Sequence, residues 1–217
     1  MIKAFLFDLD GVIVDTAIYH YQAWRAMANS LGFDISEEFN EKLKGISRMD
    51  SLDIILEHGN VELSDEKKIE LATQKNTNYL QLVSKMTQAD ILPGVTDFFV
   101  QLKKENIKTA LGSVSKNAGL ILERIGMLGD FDAIIDGNKI IKGKPDPEVF
   151  LKGAEELGFS PAECLVFEDA VAGVDAAKAG GMKAIGIGKK EVLTKADIVL
   201  DNLVGVDIHT LLAELNG

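Results

Sequence analysis

The sequence predicts an α/β protein: a doubly wound core on a parallel sheet, with an α-helical domain inserted after the first strand. Three observations lead to this. Strand-length apolar runs alternate with helical patterns over most of the chain, the first run ends in acids and a glycine, and between about 15 and 90 the strand-like runs vanish.

Residues 2–9, IKAFLFDL, form an apolar run rich in Phe, Leu and Ile that ends in acids and Gly11, the pattern of a buried strand delivering a loop. The period then changes. Ala17, Tyr21, Trp24, Ala28 and Leu31 recur at i, i+4, i+7, i+11 and i+14, one stripe of a helix with Asp15 or Thr16 as N-cap and Gly32 at its end. Further helices are expected to start near Ser36, Arg48 and Ser64, and Pro93-Gly94 marks the return to the sheet. The expected division is therefore residues 1–14 and 91–217 for the α/β core and 15–90 for the helical domain. Runs of strand length at 108–112, 132–135, 164–167, 183–187 and 198–200 supply the rest of the sheet.

Composition bounds the partners. The 217 residues are 47% apolar and 26% charged, which excludes a disordered or fibrous chain. The 23 basic residues against 34 acidic ones give a net charge of −11, so no nucleic acid is expected, because phosphate-backbone binding needs a basic face. No apolar window approaches the about 18 residues of a membrane span, and the opening MIKAFLFDLDG places acids where a signal peptide would stay apolar. The single Cys164 cannot pair internally, which fits a reducing cytoplasm, and nothing in the sequence demands more than a monomer.

Asp8-Leu9-Asp10-Gly11 falls at the carboxyl end of the first strand, where open α/β sheets hold their ligands. Alone, the two acids read equally as turn or capping residues. Glu168-Asp169 adds a second acid pair after the run 164–167, with no basic residue near it in sequence. Four acids at two strand ends favour a Mg²⁺ site, in which one carboxylate attacks a phosphoryl group while a hard cation screens the like charges. Between the pairs come Ser113, after Leu111-Gly112, and Lys144, in a Lys-Pro-Asp-Pro segment expected at a helix start. Singly these are a turn serine and a solvated charge. Together, a hydroxyl, backbone N–H groups and an ammonium suit the oxygens of a transferring phosphoryl group.

This ordered set resembles the haloacid dehalogenase superfamily of aspartate-nucleophile phosphotransferases over nearly the whole chain. The resemblance implies a Rossmann-like core of that superfamily with a helical cap. It implies that Asp8 forms an aspartyl phosphate and that Asp10 serves as general acid and base. It also gives Mg²⁺ to Asp8, the backbone carbonyl of Asp10, Glu168 and Asp169, with Ser113 and Lys144 holding the phosphoryl group.

Three segments narrow the resemblance to the sugar-phosphate mutases of the superfamily: Asp15-Thr16-Ala17 with His20, Lys44-Gly45-Ile46-Ser47-Arg48 with Ser51-Leu52, and Ser113-Val114-Ser115-Lys116-Asn117. A mutase handles a bisphosphorylated sugar, so a second anion site is expected, with Arg48, Ser115, Lys116 and Asn117 supplying it. The implied reaction interconverts β-D-glucose 1-phosphate and glucose 6-phosphate through β-glucose 1,6-bisphosphate. The alternative is a Mg²⁺-dependent sugar-phosphate phosphatase, in which water reaches the aspartyl phosphate. Thr16, Lys44, Gly45, Ile46, Ser51 and Val114 join the substrate contacts by the same resemblance, and His20 would couple sugar binding to cap closure, with Trp24 and Lys75 also facing the cleft. Ile46 and Val114 depart from the pattern by apolar changes that bear on substrate preference. The residues alone allow other readings: Lys44-Gly45 as a helix C-terminus, Arg48 and Lys116-Asn117 as ordinary first-turn residues, His20 and Trp24 as structural. His58 and His209 match no motif and are expected at the surface.

Overall fold

A computed structural model describes residues 2–43 and 46–216. The strands β1 (Ala4–Phe7), β2 (Lys108–Gly112), β3 (Ala133–Ile135), β4 (Cys164–Glu168), β5 (Lys183–Ile187) and β6 (Ile198–Leu200) make one sheet in the order β3-β2-β1-β4-β5-β6. All five pairings are parallel. β1 stops two residues before its apolar run does, because Gly11 (φ 80°) folds the chain back. There the Ile13 and Val14 amides donate to the Leu9 carbonyl, and the Gly11 amide donates to Val14.

The register places the site. Phe7 pairs with Leu111 on one side and Phe167 on the other, so the residues that follow, Asp8, Gly112 and Glu168, come level at the carboxyl edge.

Between Val14 and Ile91 the described residues form four α-helices: α1 (Ala17–Ser30), α2 (Glu37–Glu41), α3 (Arg48–His58) and α4 (Asp65–Val83). They share a hydrophobic cluster of their own around Trp24, Met27, Leu52, Ile55 and Leu71. Ser36, Ser47 and Ser64 cap α2, α3 and α4, each hydroxyl accepting an N–H three residues on, from Phe39, Asp50 and Lys67. α1 starts differently. Thr16 holds the N-cap position but makes no capping bond, and the Asp15 carboxylate accepts the Ala17 amide at 2.9 Å instead. The outgoing and returning connections run side by side, with an antiparallel bridge between Val14 and Ile91 and the Leu92 amide donating to the Ile13 carbonyl at 2.9 Å.

The remaining helices sandwich the sheet. α5 (Val95–Lys104), α6 (Ala118–Ile125) and α9 (Ile208–Asn216) cover the face that carries Phe5, Phe7, Leu111 and Phe167. α7 (Glu148–Leu157) and α8 (Val171–Ala179) cover the opposite face, with Ala4, Leu6, Ala110 and Val166. Alternation of side chains along β1 and β4 thus feeds two cores, and both faces are apolar, as a parallel sheet requires. Ala23, Tyr79, Val83 and Met86 of the helical segment pack into the first core. Among the described residues no helix is long and apolar enough to cross a membrane.

Candidate active site

At the carboxyl edge of the sheet Lys144 binds two acids at once, Asp8 and Glu168, each at 2.5 Å. Lys144 is expected at a helix start, as one member of the ordered set with both acid pairs. It lies in the loop before α7 instead, and it neutralises Glu168 from 24 residues away. All three groups are buried. Burial works against the Lys144 ammonium, but Asp8 and Glu168 hold it above its ordinary range. Glu168 is pushed up, first by burial and then by Asp8 and Asp169, with Lys144 opposing. Asp8 and Asp169 thus repel the Glu168 carboxylate, and Lys144 opposes them.

Two glycines make room for these acids. A Cβ on Gly11 would overlap the Asp169 carboxylate, and one on Gly173 at the start of α8 would overlap Glu168. Oxygens of Asp8, Glu168 and Asp169 lie within 4.8 Å of one another. An all-oxygen donor set of three carboxylates fits a hard divalent cation.

Asp10 faces elsewhere. Its Oδ1 accepts the Thr16 hydroxyl, which explains why Thr16 leaves α1 uncapped. Burial first, and then Asp8, push the Asp10 carboxyl up to about 7, against the Thr16 hydrogen bond. Tyr79, on α4, donates its buried hydroxyl to Thr16 Oγ1 at 3.1 Å and lays its ring 4.1 Å from that of His20. His20 Nδ1 meets Lys75 Nζ at 2.8 Å. Burial, Lys75 and Arg48 hold His20 well below its ordinary pKa, so the imidazole is neutral.

Lys75 is 2% exposed and its ammonium sits 4.3 Å from the Trp24 ring centroid and 4.9 Å from that of Tyr79. Burial and the charge of Arg48 lower its pKa to about 7. Arg48, in the first turn of α3, is half-buried and is itself lowered by burial. The helical segment thus gathers depressed cations opposite the acidic sheet edge.

Both sets line one cleft of ≈ 510 Å³. Asp8, Asp10 and Asp169 line it from the carboxyl edge of the sheet, and His20, Trp24, Ile46, Arg48, Ser51 and Lys75 from the helical segment. Ser113, Val114, Ser115, Lys116 and Asn117 line it from the loop after β2. Ser113 Oγ accepts the Ser115 amide at 3.1 Å, and Ser115 Oγ accepts that of Asn117 at 3.2 Å, so the loop is pinned from within. Thr16, Lys144 and Glu168 are buried. Lys44 and Gly45 lie outside the described residues. His58 and His209 are exposed. Tyr79 and Asn76, which the motifs do not single out, also belong to the constellation: Asn76 Oδ1 accepts from Asn117 Nδ2 at 2.9 Å.

A family model for haloacid dehalogenase-like hydrolases matches residues 2–181, from β1 to beyond α8. The chain belongs to this family. The four motifs of the haloacid dehalogenase-like pattern, from Asp8 to Asp169, all fall inside the match. Within the family, the chain is 47% identical over 200 residues to a β-phosphoglucomutase of Bacillus subtilis, covering 91% of this chain and 88% of that one. It is 31% identical over 186 residues to a phosphorylated carbohydrates phosphatase of Thermotoga maritima, covering 84% and 83%. A crystal structure of β-phosphoglucomutase from Clostridium difficile superposes with a TM-score of 0.96 at 46% identity, over 100% of this chain and 98% of that one.

Proposed function

We infer that this chain works as a β-phosphoglucomutase, an isomerase that interconverts β-D-glucose 1-phosphate and glucose 6-phosphate. The observation that carries the reading is the two-sided cleft. Acids with a bound lysine stand on one side, and Arg48, Lys75 and the Ser115-Lys116-Asn117 loop supply cations and hydrogen-bond donors around the rest. A sugar with a phosphate at each end needs both, whereas hydrolysis of a single phosphate needs only the first.

The residues take the following parts. Asp8, phosphorylated on its carboxylate, gives its phosphoryl group to the 6-hydroxyl of the bound β-glucose 1-phosphate while Asp10 takes the hydroxyl proton. The β-glucose 1,6-bisphosphate then reverses in the cleft. An oxygen of Asp8 attacks the phosphorus at C1, the C1 oxygen leaves with the proton from Asp10, and glucose 6-phosphate departs from a rephosphorylated Asp8. Lys144 and Ser113 neutralise and orient the transferring oxygens, and Arg48 with Ser115, Lys116 and Asn117 holds the other phosphate. Asp8, Glu168, Asp169 and the Asp10 carbonyl would hold the divalent cation, Mg²⁺ by the hardness of these donors, and when bound it screens Asp8 from the incoming anion.

Residues 15–90 act as the cap. Their paired connections at Val14 and Ile91 support movement as one body, and closure excludes water from the aspartyl phosphate. One chain carries all these groups, which supports a monomeric working form, and the buried thiol of Cys164 suits a reducing cytoplasm.

³¹P NMR of the protein with Mg²⁺, β-glucose 1-phosphate and a trace of β-glucose 1,6-bisphosphate tests this reading. Glucose 6-phosphate growing from the β-anomer and not from the α-anomer is the expected result. Inorganic phosphate as the main product would make the chain a phosphatase and overturn the second anion site.

A further inference from the structure

Asparagine is among the strongest N-cap residues, because its side-chain oxygen accepts an amide of the first helical turn. Asn117 holds that position ahead of α6 and makes no such bond. Its Nδ2 donates instead to Oδ1 of Asn76 at 2.9 Å, joining α4 to the start of α6 across the cleft that both residues line. The Asn117 backbone is already fixed by Ser115 Oγ, so the bond to Asn76 governs the carboxamide alone. Asn76 is half-buried and follows Lys75 directly in sequence.

We propose that Asn76 is a positioning residue for the distal phosphoryl group of the bisphosphate, acting through Asn117. The inference rests on the reading of Ser115, Lys116 and Asn117 as part of the second anion site. A carboxamide nitrogen has two hydrogens. Giving one to Asn76 fixes the plane of the Asn117 amide and leaves the other for a phosphate oxygen. The same bond ties the helical segment to the core where the distal phosphate sits. Neutrality is part of the function. A carboxylate at position 76 would accept a stronger bond from Asn117, yet would set a negative charge beside the anion.

The test is steady-state kinetics of Asn76→Ala, Asn76→Asp, Asn117→Ala and the double alanine variant, with β-glucose 1-phosphate as substrate and β-glucose 1,6-bisphosphate varied. Asn76→Ala is expected to raise the KM for bisphosphate about fivefold with kcat within about twofold, the effect of one neutral hydrogen bond on binding. Asn76→Asp, nearly identical in shape, is expected to raise it further. In the Asn117→Ala background, Asn76→Ala should change the KM by less than about twofold. If Asn117→Ala raises the KM and Asn76→Ala does not, or if the two effects multiply in full, the positioning role is wrong while the distal site stands. If Asn117→Ala leaves the KM unchanged, Asn117 takes no part in the distal site and the inference falls with it.

Discussion

Lys75 is an ammonium held where an ammonium is disfavoured, and removing it should stabilise the protein. The perturbation is Lys75→Met, which keeps length and apolar stem. The side chain is 2% exposed, and burial with the charge of Arg48 lowers its pKa from 10.5 to about 7. At about 1.4 kcal/mol per tenfold change in proton affinity, that drop corresponds to a ceiling of about 5 kcal/mol. At pH 7 the folded group is half protonated, so the cost there is about 4 kcal/mol. The hydrogen bond to His20 and the contacts with Trp24 and Tyr79 are lost in the variant, which reduces the expected gain to about 2–3 kcal/mol. The pH dependence gives the sign. Between pH 7 and 10.5 the unfolded chain holds the proton that the folded chain has released, so wild-type stability rises with pH across that window. The advantage of Lys75→Met should therefore be largest at or below pH 7, vanish between about pH 9 and 10, and give way by about pH 10.5 to a loss of about 1–2 kcal/mol, the worth of the missing contacts. Urea denaturation of both proteins at pH 7 and pH 10 measures it. A gain of equal size at both values, or a loss at pH 7, would refute the reasoning. Activity should move the other way, since the same cation faces the anionic substrate.

Four further outcomes are expected. Asp8→Asn should lower kcat to below about one-thousandth and abolish transfer of label from phosphorylated substrate to protein. Arg48→Ala should raise KM for β-glucose 1-phosphate roughly 10- to 100-fold, as loss of a charged hydrogen-bonded partner does, measured by coupled assay of glucose 6-phosphate. Thr16→Val strands the buried Tyr79 hydroxyl and removes a donor from Asp10, and should cost about 1–3 kcal/mol in denaturant titration, of which adding Tyr79→Phe recovers only the Tyr79 share. Gly173→Ala drives a methyl into the Glu168 carboxylate, so calorimetric titration should find Mg²⁺ affinity at least about tenfold weaker.

The sheet and its acidic edge were legible because their signals are local. A strand-length apolar run ending in Asp8 or Glu168 announces both the strand and the place where its chemistry stands. What the sequence hid depends on distant partners. Glu168 looked unneutralised because Lys144 is 24 residues away, and Thr16 looked like a cap because nothing nearby in sequence reveals that its hydroxyl turns to Asp10. Tyr79 and Asn76 carried no motif, yet a trace of them was there. The buried stripe of α4 runs Leu71, Ala72, Lys75, Tyr79, Val83, and the lysine is the only charged member of a stripe that otherwise packs a core. A charge at a core position on an amphipathic helix marks the face that turns from packing to binding, and its neighbours one residue and one turn away are Asn76 and Tyr79.

Because the chain leaves the sheet at Val14 and comes back beside it at Ile91, everything hung between those points is an appendage whose size the sheet does not have to know. Loop-closure entropy makes the same point in numbers: an excursion of about 75 residues costs about 4 kcal/mol, and one twice as long only about 0.6 more. The groups that break and make the phosphate bond and the groups that choose the sugar can therefore be exchanged separately. The seam where a graft would have to be tailored is the small apolar foot of Ala23, Tyr79, Val83 and Met86, which any replacement must either supply or make polar.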